Sequence, residues 1–225
     1  MCKFLLNLIF PPKCIFCGGL LKGKGEDETC LSCRQNLPYC MALNINCIEG
    51  DNFTRVISPF IYKGYVADSI YRFKSRGCRQ YAKTFAKYLK LAIEYYYKDV
   101  NFDYIVSVPM TKRKLAERGY DQTQLIAQRL SAVLGISHLA NALIKSKETA
   151  KQQGLSRDER KYNLAGAFEV VKPNEIDGKI ILLIDDVFTT GATVEECSYA
   201  LLANGAKSVY VVTIATTMLE SEFQV

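Results

Sequence analysis

The stretch from Ile180 to Thr193, Ile-Ile-Leu-Leu-Ile-Asp-Asp-Val-Phe-Thr-Thr-Gly-Ala-Thr, restricts the fold more than any other part of the chain. An unbroken aliphatic run gives way to two adjacent carboxylates, Asp185 and Asp186, and then to a loop of small residues, Thr189, Thr190, Gly191, Ala192 and Thr193. A strand without polar alternation is buried on both faces, as in the middle of a parallel sheet covered by helices. Ligands of such sheets sit beyond the carboxyl ends of the strands. The acid pair therefore falls where a ligand binds, and two carboxylates can accept hydrogen bonds from vicinal hydroxyls. The loop offers hydroxyls and backbone N–H groups at an expected helix start, where an anion is favoured. Diol acceptors one step from a phosphate cradle describe a sugar-phosphate pocket. A buried strand that simply meets a helix explains the aliphatic run and a capping Thr, but not the acid pair followed by Thr-Thr-Gly-Ala-Thr.

Apolar periodicity predicts alternating strands and helices from Phe53 onward. Val56–Tyr62 reads as a strand and Val66–Lys74 as a helix. Gln80–Tyr97 reads as a longer helix, with Tyr81, Phe85, Tyr88, Leu89 and Ala92 on one stripe. That stripe suits a core face better than a base-stacking platform. Tyr104–Pro109 is a second buried strand, and it enters a basic loop containing Lys112, Arg113, Lys114 and Arg118. A parallel sheet brings this loop near Asp185 and Asp186. Thr123–Leu134 follows as an amphipathic helix, then a polar, charged excursion over Lys145–Asn163, which fits a lid or a plain flexible loop. A strand over Ala165–Val171, the helix Thr193–Ala203 and a last strand Ser208–Ala215 complete the set. Earlier in the chain, Arg72-Phe-Lys-Ser-Arg76-Gly-Cys-Arg79 gathers four cations that face either phosphates or solvent at a helix end.

Nine cysteines stand in a chain with a net charge of +6 and one histidine, His138. A single histidine, expected at the surface or in packing, leaves histidine-based catalysis little to draw on. Cys14-x-x-Cys17 and Cys30-x-x-Cys33 are separated by twelve residues, a spacing that closes a tetrahedral Zn²⁺ site. The polar connection between the pairs can build little core, so a structural zinc is expected to hold the segment together. Two redox Cys-x-x-Cys motifs are the rival reading, and Cys40 and Cys47 are alternative ligands. Cys2, Cys78 and Cys197 read as isolated packing thiols. The apolar start, Met1 to Pro12, is too short for a membrane span and lacks a cleavage site. It is expected to form a short helix, with the cytosol as the default compartment. Two units follow: residues 1–50 with the Cys₄ module, and residues 51–225 with the α/β sheet.

The Asp185–Thr193 run resembles the phosphoribosyl-pyrophosphate (PRPP) signature of type I phosphoribosyltransferases. The resemblance implies a parallel sheet with helices on both faces, Asp185 and Asp186 on the ribose hydroxyls, and Thr189, Thr190, Gly191, Ala192 and Thr193 around the 5′-phosphate. It also implies that Lys112, Arg113 and Arg118 meet the pyrophosphate, with Mg²⁺ accompanying PRPP. Three further features stand in order: the Cys₄ module, Val108-Pro109…Arg118-Gly-Tyr-Asp-Gln122, and Thr149-x-x-Gln152-x-x-Leu155-x₄-Arg160-x-x-Asn163-Leu-x-Gly166-x-Phe168. Together they resemble the ComF family of competence proteins (ComFC/GntX type). Relatives often carry Arg where this chain has Lys145 and Lys147, and Asn where it has Asp121. The resemblance implies natural transformation: handling of incoming single-stranded DNA beside the membrane, with a helicase-like competence ATPase as partner. The motif is compatible with phosphoribosyl transfer to an unidentified acceptor, and equally with a PRPP-sensing regulator that has no turnover.

Overall fold

The computed structural model describes residues 11–21, 28–40, 48–146 and 166–217. The expected N-terminal helix, most of the connection between the cysteine pairs, Cys2, Cys47 and nearly all of the Lys145–Asn163 excursion lie outside the described residues.

The aliphatic run forms the strand β7 (Ile180–Phe188), and its neighbours are parallel on both sides. The others are β1 (Arg55–Ile57), β2 (Phe60–Ile61), β3 (Tyr104–Ser107), β4 (Ser137–His138) and β8 (Ser208–Thr216). They lie in the order β1-β8-β7-β3-β4, with β2 also on β8. β7 buries alternate residues into two different cores. Leu182 and Ile184 enter one cluster, and Ile181 and Leu183 the other. This explains why the run shows no polar alternation.

The first core is closed by α2 (Gly64–Ser75), α3 (Tyr81–Tyr96) and α5 (Gln122–Leu134), which contribute Phe73, Phe85 and Ile126 among others. Phe85, Leu89 and Ala92 of the α3 stripe are buried there, with Tyr81 and Tyr88 packed at its margin. The second core is closed by α7 (Ala192–Ala203), which carries Cys197 and Leu201, and by Phe168 and Val170. The latter pair belongs to an antiparallel ribbon of β5 (Leu143–Lys145) and β6 (Phe168–Val170). The short helices α1 (Leu31–Asn36), α4 (Lys112–Arg118) and α6 (Pro173–Ile176) complete the described elements.

Three expectations are corrected. The strand expected over 56–62 is two strands, interrupted at Ser58–Pro59, because proline has no N–H to give the ladder. The apolar run ends at Ile184, yet the ladder to β8 continues through Phe188. The basic segment expected as a loop is the helix α4. Thr111 caps it by accepting from the Lys114 N–H, and Gly119 ends it at φ 74.

Candidate functional site

The two acids of β7 share a location but not an environment. Asp186 has both oxygens engaged: Lys74 Nζ of α2 lies 2.7 Å from Oδ1, and Gln122 Nε2 at the start of α5 donates to Oδ2 at 2.9 Å. Asp185 accepts only the backbone N–H of Asp186, at 2.8 Å on Oδ1. Among the described residues its second oxygen has no partner. Burial pushes both carboxyls upward. For Asp186 the Lys74 ammonium, the hydrogen bonds from Lys74 and Gln122, and Arg118 outweigh burial, so its carboxyl lies below the ordinary carboxylate value. Asp185 is raised, by burial first and then by the like charge of Asp186.

A cavity of about 290 Å³ opens over these acids at the carboxyl ends of β3 and β7. Lys74, Arg113, Lys114, Arg118 and Lys145 line it against the two carboxylates. On α4, Lys114 is exposed, yet partial desolvation by the surrounding protein lowers its ammonium, and the neighbouring charges of Arg118 and Lys74 lower it further. The α4 wall is held in place from α2 and the segment after it. Arg79 donates to the Gly119 carbonyl at 2.7 Å and lies over the Tyr120 ring at 4.9 Å, while the Tyr120 hydroxyl donates to the Phe73 carbonyl. Asp121 caps α5, accepting from the Gln124 N–H at 3.0 Å, so Asp serves there as Asn would. Lys145 lies over the Phe168 ring at 5.2 Å.

Thr189 and Thr193 line the same cavity. A recess of about 20 Å³ adjoins it, formed by Asp185, Thr189, Gly191, Ala192 and Thr193 among others. The first N–H groups of α7 have no acceptor within their own helix, so they are available to an anion. Gly191 begins that helix at φ 80, and a Cβ there would stand 3.0 Å from the Phe188 ring. The left-handed backbone favours glycine, and the close ring adds to the cost of any side chain there.

Of the residues singled out from sequence, Asp185, Asp186, Thr189, Thr193, Arg113 and Arg118 converge on the cavity. Gly191 and Ala192 border the recess, whereas Thr190 lines neither space. Lys112 faces a neighbouring cavity beyond α4. Lys74, Lys114 and Gln122 are site residues that the sequence reading did not assign. The basic run at Arg72–Arg79 contained the signal for Lys74, but not its direction.

The sulfurs of Cys14, Cys17, Cys30 and Cys33 all lie within 4.8 Å of one another, and Cys17 and Cys30 are 3.7 Å apart. A tetrahedral thiolate site with metal–sulfur bonds of about 2.3 Å has sulfurs about 3.8 Å apart, so the four cysteines can hold a metal ion. Backbone N–H groups support the thiolates: Cys30 N–H reaches Cys14 Sγ and Cys33 N–H reaches Cys30 Sγ, both at 3.4 Å. Burial raises the Cys14 thiol, but the N–H groups of Cys30, Cys17 and Phe16 outweigh it and bring it to about 7. Cys40 is not in this cluster; it packs against Ile61, and burial pushes its thiol up to about 12. The knuckle is not without a core. Ile15 and Phe16 are buried in the first cluster, where the Phe16 ring meets Phe60, Phe85 and Tyr88 edge-on.

Residues 122–222 match the phosphoribosyl transferase domain family. With the parallel sheet and its two helical layers, this makes the fold that of a type I phosphoribosyltransferase. Competence protein F of Haemophilus influenzae is 30% identical over 200 residues, covering 87% of each chain. The chain belongs to the ComF family. The DNA utilization protein YhgH of Escherichia coli is 40% identical over 116 residues, 52% of this chain and 50% of its own. Competence protein ComFC of Bacillus subtilis is 27% identical over 203 residues, 81% of each. The domain match begins at Gln122, so Lys74, α4 and the cysteine knuckle of this ComF chain lie outside it. No helix among the described residues is long and apolar enough to cross a membrane.

Proposed function

We propose that this ComF protein acts in DNA uptake, handling incoming single-stranded DNA in the cytoplasm, and that its pocket binds PRPP or a related sugar phosphate. One observation carries the pocket reading: an acid pair at the end of a parallel strand, with an open oxygen on Asp185, shares one cavity with five cations and with Thr189 and Thr193 of a Thr/Gly loop at a helix start. A ribose diol fits the acids, a diphosphate the α4 wall, and a 5′-phosphate the loop. Mg²⁺ would arrive with the diphosphate. Apart from the four cysteines, no group of three His, Cys, Asp or Glu residues that could hold a metal occurs among the described residues. Magnesium commonly relies on substrate phosphates in this way. The metal of the cysteine knuckle is zinc in this reading, with a structural role, since four thiolates leave no open coordination position.

The DNA reading rests on the names of the relatives and on the basic wall, which offers phosphate contacts. A helicase-like competence ATPase is the partner that the family resemblance suggests. Calorimetric titration with Mg-PRPP tests the pocket. Heat from the native protein, abolished in Asp185→Asn/Asp186→Asn, is the expected result; no heat, or heat unchanged in the variant, rejects it. Pyrophosphate release, measured separately, distinguishes transfer from binding alone.

A further inference from the structure

The side chains of α4 divide between two cavities. Arg113, Lys114 and Arg118 line the sugar-phosphate cavity, whereas Lys112 and Leu115 line a second one of about 650 Å³. The two adjoin, since Pro109, Met110, Thr111 and Lys145 line both. Leu115 is the one large apolar side chain of α4, and it is 42% exposed and belongs to neither core. Leu143 and Ile144 of β5 line the same space, and Ile144 is 38% exposed. Cavities of roughly 300–1,000 Å³ with an apolar lining and a few placed polar groups are where organic ligands bind.

The polar groups of this second cavity are two linked amides. Gln124 Nε2 of α5 donates to Asn141 Oδ1 at 2.7 Å. Among the described residues that leaves Gln124 Oε1 and Asn141 Nδ2 without partners, an acceptor and a donor on neighbouring side chains. Asn141 is the one non-glycine among the described residues with left-handed backbone, at φ 57. Glycine would hold that backbone more easily, so the fold alone does not require the amide. An apolar lining with a donor and an acceptor fits a planar heterocycle, apolar on its faces and polar at its edge, which describes a nucleobase. The charges narrow its source. Lys112 and Lys145 line the cavity with one acid, Asp121, whose Oδ1 already accepts from the Thr123 hydroxyl and the Gln124 N–H. Arg113, Lys114 and Arg118 follow Lys112 on the same helix. A row of cations longer than one phosphate needs suits a base attached to a sugar-phosphate chain.

We propose that the second cavity holds one unpaired base of a single DNA strand, whose neighbouring phosphates lie on the cations of α4. The assignment rests on the DNA-handling reading and gives that reading a site. Gln124 and Asn141 meet the edge of the base, Leu115, Leu143 and Ile144 its faces, and Lys112 the adjoining phosphate. A base within a duplex is shut out, because its edge is already paired and its faces are stacked.

The test is fluorescence anisotropy at low salt with two labelled strands of equal length and charge, oligodeoxythymidylate and an abasic strand. Native protein is compared with Asn141→Gly and Leu115→Ala. Glycine suits the backbone at 141, and α4 buries none of its residues, so both variants should keep the fold. Native protein is expected to bind the base-bearing strand about tenfold more tightly than the abasic one, the size of one base contact. Each variant should lose most of that preference while the abasic strand stays within about twofold of native. Lys112→Met should instead weaken both strands alike. Equal affinity of native protein for the two strands, or a preference unchanged in both variants, overturns the assignment while leaving the DNA reading intact. Thymidine 5′-monophosphate binding as tightly as the strand would assign the cavity to a free nucleotide and overturn it as well. If native protein binds neither strand, the DNA reading fails and the assignment with it.

Discussion

At the scale of single residues, the acid pair shows how one dipeptide acquires two electrostatic characters. Asp186 is fixed as an anion by Lys74 and Gln122, while Asp185 is left with an open oxygen and a raised carboxyl. A depressed carboxyl contributes stability above the ordinary carboxylate range and loses it as pH falls through the lowered value. A raised carboxyl does the opposite: the fold is penalised increasingly as pH rises from about 4 through the raised value. Asp185→Asn should therefore stabilise the fold at pH 9 by of the order of 1 kcal/mol, roughly 2–4 °C in melting temperature, with the gain vanishing near pH 4. Asp186→Asn should destabilise it by a similar amount at pH 9, because Lys74 loses its partner. Thermal melts of both variants across that range check the pair, and equal shifts of the same sign would show that the two acids are equivalent. Both variants should lose Mg-PRPP binding, so the stabilised one trades function for stability. The acids themselves were legible from the sequence, because a buried strand that simply meets a helix does not account for an acid pair followed by Thr-Thr-Gly-Ala-Thr. Lys74 and Gln122 were not: nothing in a helical period says that one polar side chain crosses to a strand 112 residues away.

At the scale of elements, α2 joins parts of the molecule that are far apart in sequence. Within three residues it grips the knuckle carbonyls through Arg72, buries Phe73 and places Lys74 on Asp186. Replacing Arg72 with Met should cost about 2 kcal/mol, since its two hydrogen bonds carry a full charge. That corresponds to roughly 4–8 °C in a chain of this size. After loading with Zn²⁺, the variant should also release the metal to a chelator faster than native protein loaded in the same way, which a colorimetric zinc assay checks. Unchanged release would mean that the Arg72 hydrogen bonds do not hold the knuckle in its Zn²⁺-loaded form. Phe16→Ala removes a fully buried ring set among three aromatic neighbours and should cost about 3–5 kcal/mol, measured by denaturant unfolding. The cysteine spacing was enough to predict the four-sulfur cluster, because metal ligation depends on local spacing. That the knuckle also seats Ile15 and Phe16 in the main core is a long-range fact that no local pattern contains. The helix α4 escaped the sequence reading for a related reason. It buries none of its residues, so it has no apolar period to read, and only Thr111 and Gly119 mark its ends.

At the scale of the whole molecule, the net charge is +6, and a basic excess stands at the cavity. Five cations line a cavity that holds two carboxylates, and one of those carboxylates is already paired. A single strand of DNA and a sugar diphosphate both present phosphates, so the α4 wall is a place where they would compete. Binding of a labelled single strand should weaken as salt rises, with a slope of about −0.7 in log K against log salt for each phosphate neutralised. Lys114→Met should make that slope shallower by about 0.7, because this ammonium lies on the cavity wall and is crowded by like charges. Saturating pyrophosphate should displace the strand if the wall is shared. A strand that stays bound under pyrophosphate, with an unchanged slope in Lys114→Met, would place DNA on another face and separate the two ligands. Displacement would instead make the pocket a point of exchange, where a filled sugar-phosphate site and a held strand exclude one another. That coupling needs no conformational change, because one set of charges can neutralise only one polyanion at a time.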